Sequence, residues 1–229
     1  MGTHQQKISR RSFVCCFSSF ALFGCGIGDL SLDKDLRATF SYLIDGMPDA
    51  PITRELVNTL PYASIAAKIG RRGPRGLLVL WRETTSDLLW LSVDNVAIVT
   101  RGGRVVQTAG LPYTIRETTF LGSDPVDHML HQVSSDTSFV REIDLVKGDT
   151  VHTVQIQSRF KILGPQQIEI TGLEFDTILV EELNQARELN WKFTNRYWVD
   201  PADGFVWRSI QTIAREFGAI EIEVLKPAV

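Results

Sequence analysis

The stretch VAIVTRGGRVVQT, residues 96–108, consists of two short apolar runs that meet at Gly102-Gly103. A two-residue type I′ turn requires positive φ angles at both central positions, and glycine adopts these angles without steric cost. The stretch therefore predicts a β-hairpin with two antiparallel strands.

The residues on both sides of this hairpin continue the same pattern. From residue 62 onward, apolar and polar residues alternate, and turn residues recur about every 8–12 positions. About a dozen such segments without a long helix predict an all-β, mainly antiparallel fold. The three architectures consistent with this pattern are a curved sheet, a sandwich and a partly open barrel.

The segment 150–163 illustrates the alternation. Val154, Ile156, Ser158 and Phe160 share one face of the predicted strand, and its other face is polar. We expect that first face to be buried and the other to meet water. The segment 167–171 is predicted as a further, separate strand.

Two short helices are predicted before the strands. Leu32, Leu36, Phe40 and Leu43 have helical spacing. A second helix is expected to begin after Thr53, a suitable N-cap residue, and to run to about residue 58.

All three cysteines of the 229-residue chain lie within its first 25 residues. Residues 1–11 are short and basic, and residues 12–24 form an apolar segment with the length of a signal-peptide core. This segment ends in Leu22-Phe23-Gly24-Cys25, which resembles the lipobox of bacterial lipoproteins. A cysteine thiolate is well suited to accept a diacylglyceryl group near neutral pH.

These features predict three regions. Residues 1–24 are a lipoprotein signal peptide, residues 25–50 are an acylated N-terminus and tether, and residues 51–229 are a single β-rich periplasmic domain. Arg10-Arg11 fits a twin-arginine export signal, although an ordinary basic leader also explains it. Gly26 follows the anchor where an aspartate would retain an enterobacterial lipoprotein in the inner membrane. We therefore expect attachment to the outer membrane, facing the periplasm.

The charge of the chain argues against one class of partner. The formal net charge is −3, and residues 1–24 carry three basic residues and no acid, so the remainder carries −6. A nucleic-acid-binding protein normally shows a basic balance. We therefore expect no nucleic acid partner.

Catalytic motifs are not found in the sequence. It contains no GxSxG or HExxH pattern, and His128 and His131 would need further ligands, from Asp124 or Asp127, to hold a metal. We therefore predict a protein that is not an enzyme and that has no cofactor and no metal. Carboxylates that could serve glycoside hydrolysis are Asp124, Asp127, Glu174, Asp176, Glu181 and Glu182.

Two surface features are candidates for ligand or partner binding. The turn 70–76 carries Arg71, Arg72 and Arg75 and could bind an anionic polysaccharide or lipid headgroup, although a basic hairpin tip is the simpler interpretation. Strand alternation separates Trp198 from Tyr197 and places it on the opposite face. Trp198 could stack on a sugar ring or contact a partner, but core packing is the more common role of such a residue.

Three stretches together resemble a known family. LPYAS (60–64), residues 78–111 and NRYWVDPADGFVWRSIQTI (195–213) are similar to the YjbF, or group 4 capsule (GfcB-like), family of outer-membrane lipoproteins. The resemblance implies an all-β lipoprotein that is encoded with an outer-membrane β-barrel and a soluble periplasmic protein of the same polysaccharide system. These two proteins, the membrane and the polysaccharide itself are therefore the expected partners.

The leading hypothesis is a non-enzymatic, membrane-anchored lipoprotein accessory to exopolysaccharide or capsule production or export. The alternative is a periplasmic carrier or sensor of a lipid or other hydrophobic ligand, with a half-barrel cavity. A hydrolase that uses two of the carboxylates ranks third.

Overall fold

The computed structural model describes residues 52–70, 75–127 and 129–228. Within these ranges no helix has the length and apolar character needed to cross a membrane. The described elements are α1 (Arg54–Thr59), a 3₁₀ turn at Leu130–Gln132, β1 (Ser64–Ile69), β2 (Arg75–Glu83), β3 (Leu88–Leu91), β4 (Ala97–Arg101), β5 (Arg104–Ala109), β6 (Thr114–Phe120), β7 (Ser138–Lys147), β8 (Thr150–Ile170), β9 (Leu173–Ala186), β10 (Trp191–Val199), β11 (Val206–Ala214) and β12 (Gly218–Lys226).

The twelve strands form one antiparallel sheet in the order β5-β4-β3-β2-β1-β12-β11-β10-β9-β8-β7-β6. Its edge strands, β5 and β6, meet through side chains. Thr118 Oγ1 donates to the Val106 carbonyl at 2.7 Å, and the Ile115 amide donates to Thr108 Oγ1 at 2.9 Å. The result is a nearly closed, barrel-shaped sheet. This confirms the all-β prediction and selects the partly open barrel among the three expected architectures.

The hairpin with the Gly102-Gly103 turn forms as predicted. Gly102 and Gly103 have φ angles of 54° and 98°, and Arg101 pairs directly with Arg104 across the turn. The glycine pair thereby places Arg104 at the first position of an edge strand, with its side chain buried.

The inner face of the barrel is apolar over most of its area. Val154, Ile156 and Phe160 are buried, as is Ser158 between them, which confirms the alternation predicted for this strand. Each large apolar side chain buried in this way contributes about 1.5–3 kcal/mol. The largest inner cluster spans both ends of the sheet order, from β3–β5 to β6–β8.

The expectation of two separate strands at 150–163 and 167–171 is wrong, because β8 is continuous from Thr150 to Ile170. A bulge inserts Leu163 between the paired positions Ile162 and Gly164. Since side chains alternate with period two, one extra residue moves the following residues to the opposite face. Ile168 therefore packs outside the barrel, although Phe160 lies inside.

The outer end of the β8–β9 hairpin forms a second layer with α1. Ile168 and Ile170 pack with Trp198 and with Val57 of α1. Arg54 fixes the helix in place by donating to the carbonyls of Ile170 at 3.1 Å and Leu225 at 3.0 Å. This layer covers apolar residues on the outer surface of the sheet.

The two predicted helices have different outcomes, and the edge strand β6 has a weak apolar pattern. The Leu56 amide donates to Thr53 Oγ1 at 3.3 Å, which confirms the N-cap of α1. The edge strand β6 is mostly polar, and Ile115 is its one buried apolar side chain. The helix predicted around residues 32–43 lies outside the described residues.

We predict that Gly103→Ala lowers the free energy of unfolding by about 2–4 kcal/mol, because left-handed strain adds to steric overlap. A Cβ at Gly103, where φ is +98°, would lie 2.6 Å from the Val206 side chain. Urea denaturation followed by tryptophan fluorescence measures this loss.

Gly148→Ala is the matched control, since φ is +57° there and no atom lies within 4 Å of the added Cβ. We expect it to cost about 1 kcal/mol from backbone strain alone. Equal losses in the two variants would contradict the packing role assigned to Gly103.

Candidate functional site

Strand alternation carries several charged residues into the barrel interior. On β7, Arg141 occupies the inward register between Phe139 and Ile143. On β9, Glu182 occupies the same kind of position, and its exposed fraction is 0%. Buried ions of this kind are stable only when they are paired and hydrogen-bonded.

The Glu182 carboxylate is the centre of this interior cluster. Arg104 donates to both of its oxygens, at 2.9 and 3.1 Å, and Arg141 donates to Oε1 at 2.9 Å. Asn195 Nδ2 and the Tyr197 hydroxyl donate to Oε2 at 2.8 and 3.1 Å. Four strands, β5, β7, β9 and β10, therefore converge on one carboxylate.

Arg104 also binds a second carboxylate. Its Nε and Nη2 atoms donate to Asp124 at 2.5 and 2.9 Å, in a bidentate pair. The Val126 amide donates to Asp124 Oδ1 at 3.0 Å and orients the loop that follows β6. We refer to Arg104, Asp124, Arg141, Glu182 and Tyr197 as the charge network, whose formal charges cancel.

The environment of the charge network shifts the pKa of several members. Burial alone would raise the pKa of Glu182, but Arg104 and Arg141 outweigh burial and hold it far below its ordinary value. Burial alone would lower the pKa of Arg104, but Glu182, Tyr197 and Asp124 raise it above its ordinary value. Burial raises the pKa of Tyr197. The ionised form of Glu182 is therefore strongly favoured, whereas a general acid needs the opposite shift.

A cavity of about 430 Å³ opens at one end of the barrel. Its floor includes Ile65, Trp90 and Ile222, which belong to the inner core. The Trp90 indole nitrogen donates to Thr100 Oγ1 at 2.8 Å, so the polar atom of this ring is satisfied. We call this space the mouth cavity, because the turns of β4–β5 and β10–β11 and the end of β12 surround it. Its size lies within the range of ligand-binding pockets.

The sequence from residue 37 to residue 225 matches the family described as "Group 4 capsule polysaccharide lipoprotein gfcB, YjbF". The chain belongs to the YjbF family. This confirms the resemblance seen in the sequence.

Two relatives and one solved structure illustrate the similarity of this YjbF-family chain to other proteins. It is 29% identical over 215 residues to the uncharacterized lipoprotein GfcB of Escherichia coli K12, covering 92% of this chain and 97% of GfcB. It is 24% identical over 195 residues to the uncharacterized lipoprotein YjbF of the same strain, covering 85% and 90%. The crystal structure of the hypothetical lipoprotein YmcC from E. coli K12 superimposes with a TM-score of 0.76 at 24% identity, covering 87% and 99%, and shares the fold.

Several predicted site residues of this YjbF-family chain lie outside the described residues. These are the lipobox residues Leu22, Phe23, Gly24 and Cys25, the pair Arg10 and Arg11, the turn residues Arg71 and Arg72, and His128. Their roles stay predictions.

Two other predicted surface residues are described. Arg75, on β2, forms an ion pair with Glu223 of β12 on the outer surface. Trp198 is only 6% exposed, and its indole nitrogen donates to Gln166 at 3.0 Å beneath the outer layer. The β8–β9 hairpin covers the ring, so Trp198 has the core-packing role rather than the exposed stacking role.

Among the described residues, which do not include His128, no group of three or more candidate metal ligands occurs. His131 packs against the β10–β11 turn, and a Cβ on Gly204 would lie 2.5 Å from its Nδ1 atom. His152 is exposed on β8. The fit of the ring against Gly204 gives His131 a packing role beside the β10–β11 turn.

The structure brings together two of the six carboxylates named from the sequence, Asp124 and Glu182, on one arginine. Glu181, adjacent in sequence, forms a surface ion pair with Arg196 instead. Sequence reasoning missed Arg104 and Arg141. The available signal was an arginine at the inward register of an apolar alternation, as in Phe139-Arg141-Ile143.

We predict that Glu182→Gln lowers the free energy of unfolding by about 3–5 kcal/mol, because it leaves a buried positive charge uncompensated. Glu181→Gln is the matched control, since it removes an exposed pair and is expected to cost less than about 1 kcal/mol. Chemical denaturation measures both. A small loss for Glu182→Gln would contradict the central role of this carboxylate.

The low pKa of Glu182 also makes the stability of the protein depend on pH. The folded-state pKa of Glu182 lies below its ordinary value of 4.5, so its contribution to stability is complete above that pH and declines as the pH falls. Between about pH 5 and pH 3, the wild type should therefore lose stability more steeply than Glu182→Gln. Denaturation at a series of pH values tests this, and parallel curves would show that another group causes the acid sensitivity.

Proposed function

We propose that this protein is a non-enzymatic lipoprotein, anchored to a membrane through acylated Cys25, that is accessory to capsule or exopolysaccharide production or export. The observation that carries the proposal is the family match, which spans residues 37–225 and so includes nearly the whole described domain. The description of the family links it to a capsule polysaccharide and to lipoproteins.

The anchor rests on the order of segments in the sequence. A basic start, a 13-residue apolar core and Leu22-Phe23-Gly24-Cys25 precede the domain. Each buried CH₂ group of an acyl chain contributes about 0.8 kcal/mol, so more than one chain gives lasting attachment. A fully extended tether of residues 25–50 spans about 90 Å at most. The domain could thus meet membrane partners while it remains attached.

The non-enzymatic role is supported by the state of the interior carboxylates. Glycoside hydrolysis needs a carboxylic acid whose pKa is raised and a second carboxylate that faces the substrate. Asp124 and Glu182 are instead buried and bound by Arg104. We therefore assign the charge network a structural role in holding the barrel together.

The proposal includes a location and partners. We place the protein on the outer membrane, facing the periplasm, beside the outer-membrane β-barrel and the soluble periplasmic protein of the same polysaccharide system. A membrane anchor raises the effective concentration of the domain for such a membrane partner.

A second candidate function is favoured by the mouth cavity. Its volume of about 430 Å³ and its apolar floor suit a carrier or sensor of a hydrophobic ligand. A carrier would be isolated with lipid in this cavity, whereas a secretion component would be isolated with its membrane partner.

Deletion of the gene tests the leading proposal, and we expect it to reduce the amount of secreted polysaccharide. The wild-type gene should restore secretion, whereas Cys25→Ala should not, because the anchor is lost. Cys16→Ala is the matched control, since we expect this residue to leave with the signal peptide. Purification of the acylated protein in mild detergent should also recover the outer-membrane partner, and Cys25→Ala should lose it.

Unchanged secretion in the deletion strain would contradict the leading proposal. Recovery of the protein with phospholipid and without a partner, detected by native mass spectrometry, would favour the carrier.

A further inference from the structure

The mouth cavity opens at one end of the barrel and has an apolar base. Its floor residues Ile65, Trp90 and Ile222 belong to the cluster that fills the barrel below them. A ligand would therefore enter from the end of the barrel and stop at this floor. A long polymer could not thread through the cavity, but the end or a short branch of a polymer could enter it.

One wall of the cavity carries aromatic rings. Phe205 is 36% exposed, and its ring meets Trp207 edge-on at a centroid distance of 4.8 Å. Trp207 is itself fixed, because its indole nitrogen donates to Asp200 at 3.1 Å. Trp207 also packs against Phe175 of the outer layer at a centroid distance of 4.2 Å, so Phe205 is the ring that this wall offers to a ligand.

The rim of the cavity carries hydrogen-bond acceptors. Glu83, Asp127 and Asp203 line it, and its described lining includes no lysine or arginine. Asp203 accepts the Phe205 amide through Oδ1 at 2.8 Å, which orients the carboxylate at the turn. An ionised carboxylate can only accept hydrogen bonds, so a ligand that fits this rim must be rich in donors.

The number of hydrogen-bond donors and the charge of a ligand decide whether it fits this rim. An acyl chain has no hydrogen-bond donors, so it could occupy the apolar floor but would make no hydrogen bond with the rim carboxylates. A phosphate or carboxylate headgroup would meet like charge at the rim. A sugar combines hydroxyl donors with an apolar C–H face, which matches both the rim and the aromatic wall.

We propose that the mouth cavity binds a neutral or amino-bearing saccharide, at a chain end or a short branch of the polysaccharide. Glu83 and Asp203 accept hydrogen bonds from its hydroxyl or amino groups, and Phe205 packs against a ring face. This inference rests on the proposed function and adds direct contact with the polymer.

The test is a calorimetric titration of the full-length acylated protein in nanodiscs. The probe is a pool of short oligosaccharides made by partial acid hydrolysis of the polysaccharide that the source bacterium secretes. We expect the double variant Glu83→Gln/Asp203→Asn to bind this pool about tenfold more weakly, since charge-assisted hydrogen bonds are lost. Both side chains are exposed, so the variant should keep the fold.

The matched control is the double variant Glu117→Gln/Asp176→Asn, which neutralises two exposed carboxylates outside the cavity. It should bind as the wild type does. Phe205→Leu should weaken binding, because it removes the ring. Phe205→Tyr keeps the ring and should bind as the wild type does.

Absence of binding to the wild type would overturn this inference, as would equal weakening by the cavity and control variants. Displacement of the oligosaccharides by phosphatidylethanolamine, with no effect of Glu83→Gln/Asp203→Asn, would overturn it in favour of a lipid site. The proposed function is judged separately, because it fails only if the deletion strain secretes normally.

Discussion

The pairing of Arg104 with Glu182 across the barrel interior is the interaction on which the rest of the structure depends. Arg104 lies on β5, at one edge of the sheet, and Glu182 lies on β9, near the other edge. Arg104 also binds Asp124, which follows the opposite edge strand β6. The described edges are joined by side chains, so this internal pair helps to close the barrel where a backbone ladder does not.

The charge network also shapes the space beside it. Gln211 accepts the Val105 amide at 2.9 Å and donates to Ser209 at 2.9 Å, and Ser209 lines the mouth cavity. Polar groups thus extend from Glu182 to one wall of the cavity, and apolar side chains of the core form its floor. The mouth cavity is thus a concave surface at one end of a nearly closed barrel whose interior is filled.

The outer layer gives the protein a second distinctive surface. The β8–β9 hairpin and α1 cover Trp198 on the outer surface of the sheet. Arg54 binds this helix to the carbonyls of β8 and β12. The outer layer therefore fixes α1 to the body of the sheet.

The amino-acid sequence by itself determined the strand class, the Gly102-Gly103 hairpin, the N-cap at Thr53 and the family, because each depends on local pattern or motif. It also determined which face of the segment 150–163 is buried, since alternation is a local property. Only the tertiary structure decided that Asp124 and Glu182 share one arginine, because their separation depends on closure of the sheet. It likewise decided that Trp198 is covered, since the single inserted residue Leu163 changes the face of β8 and turns Ile168 and Ile170 of the neighbouring β8–β9 hairpin toward the ring.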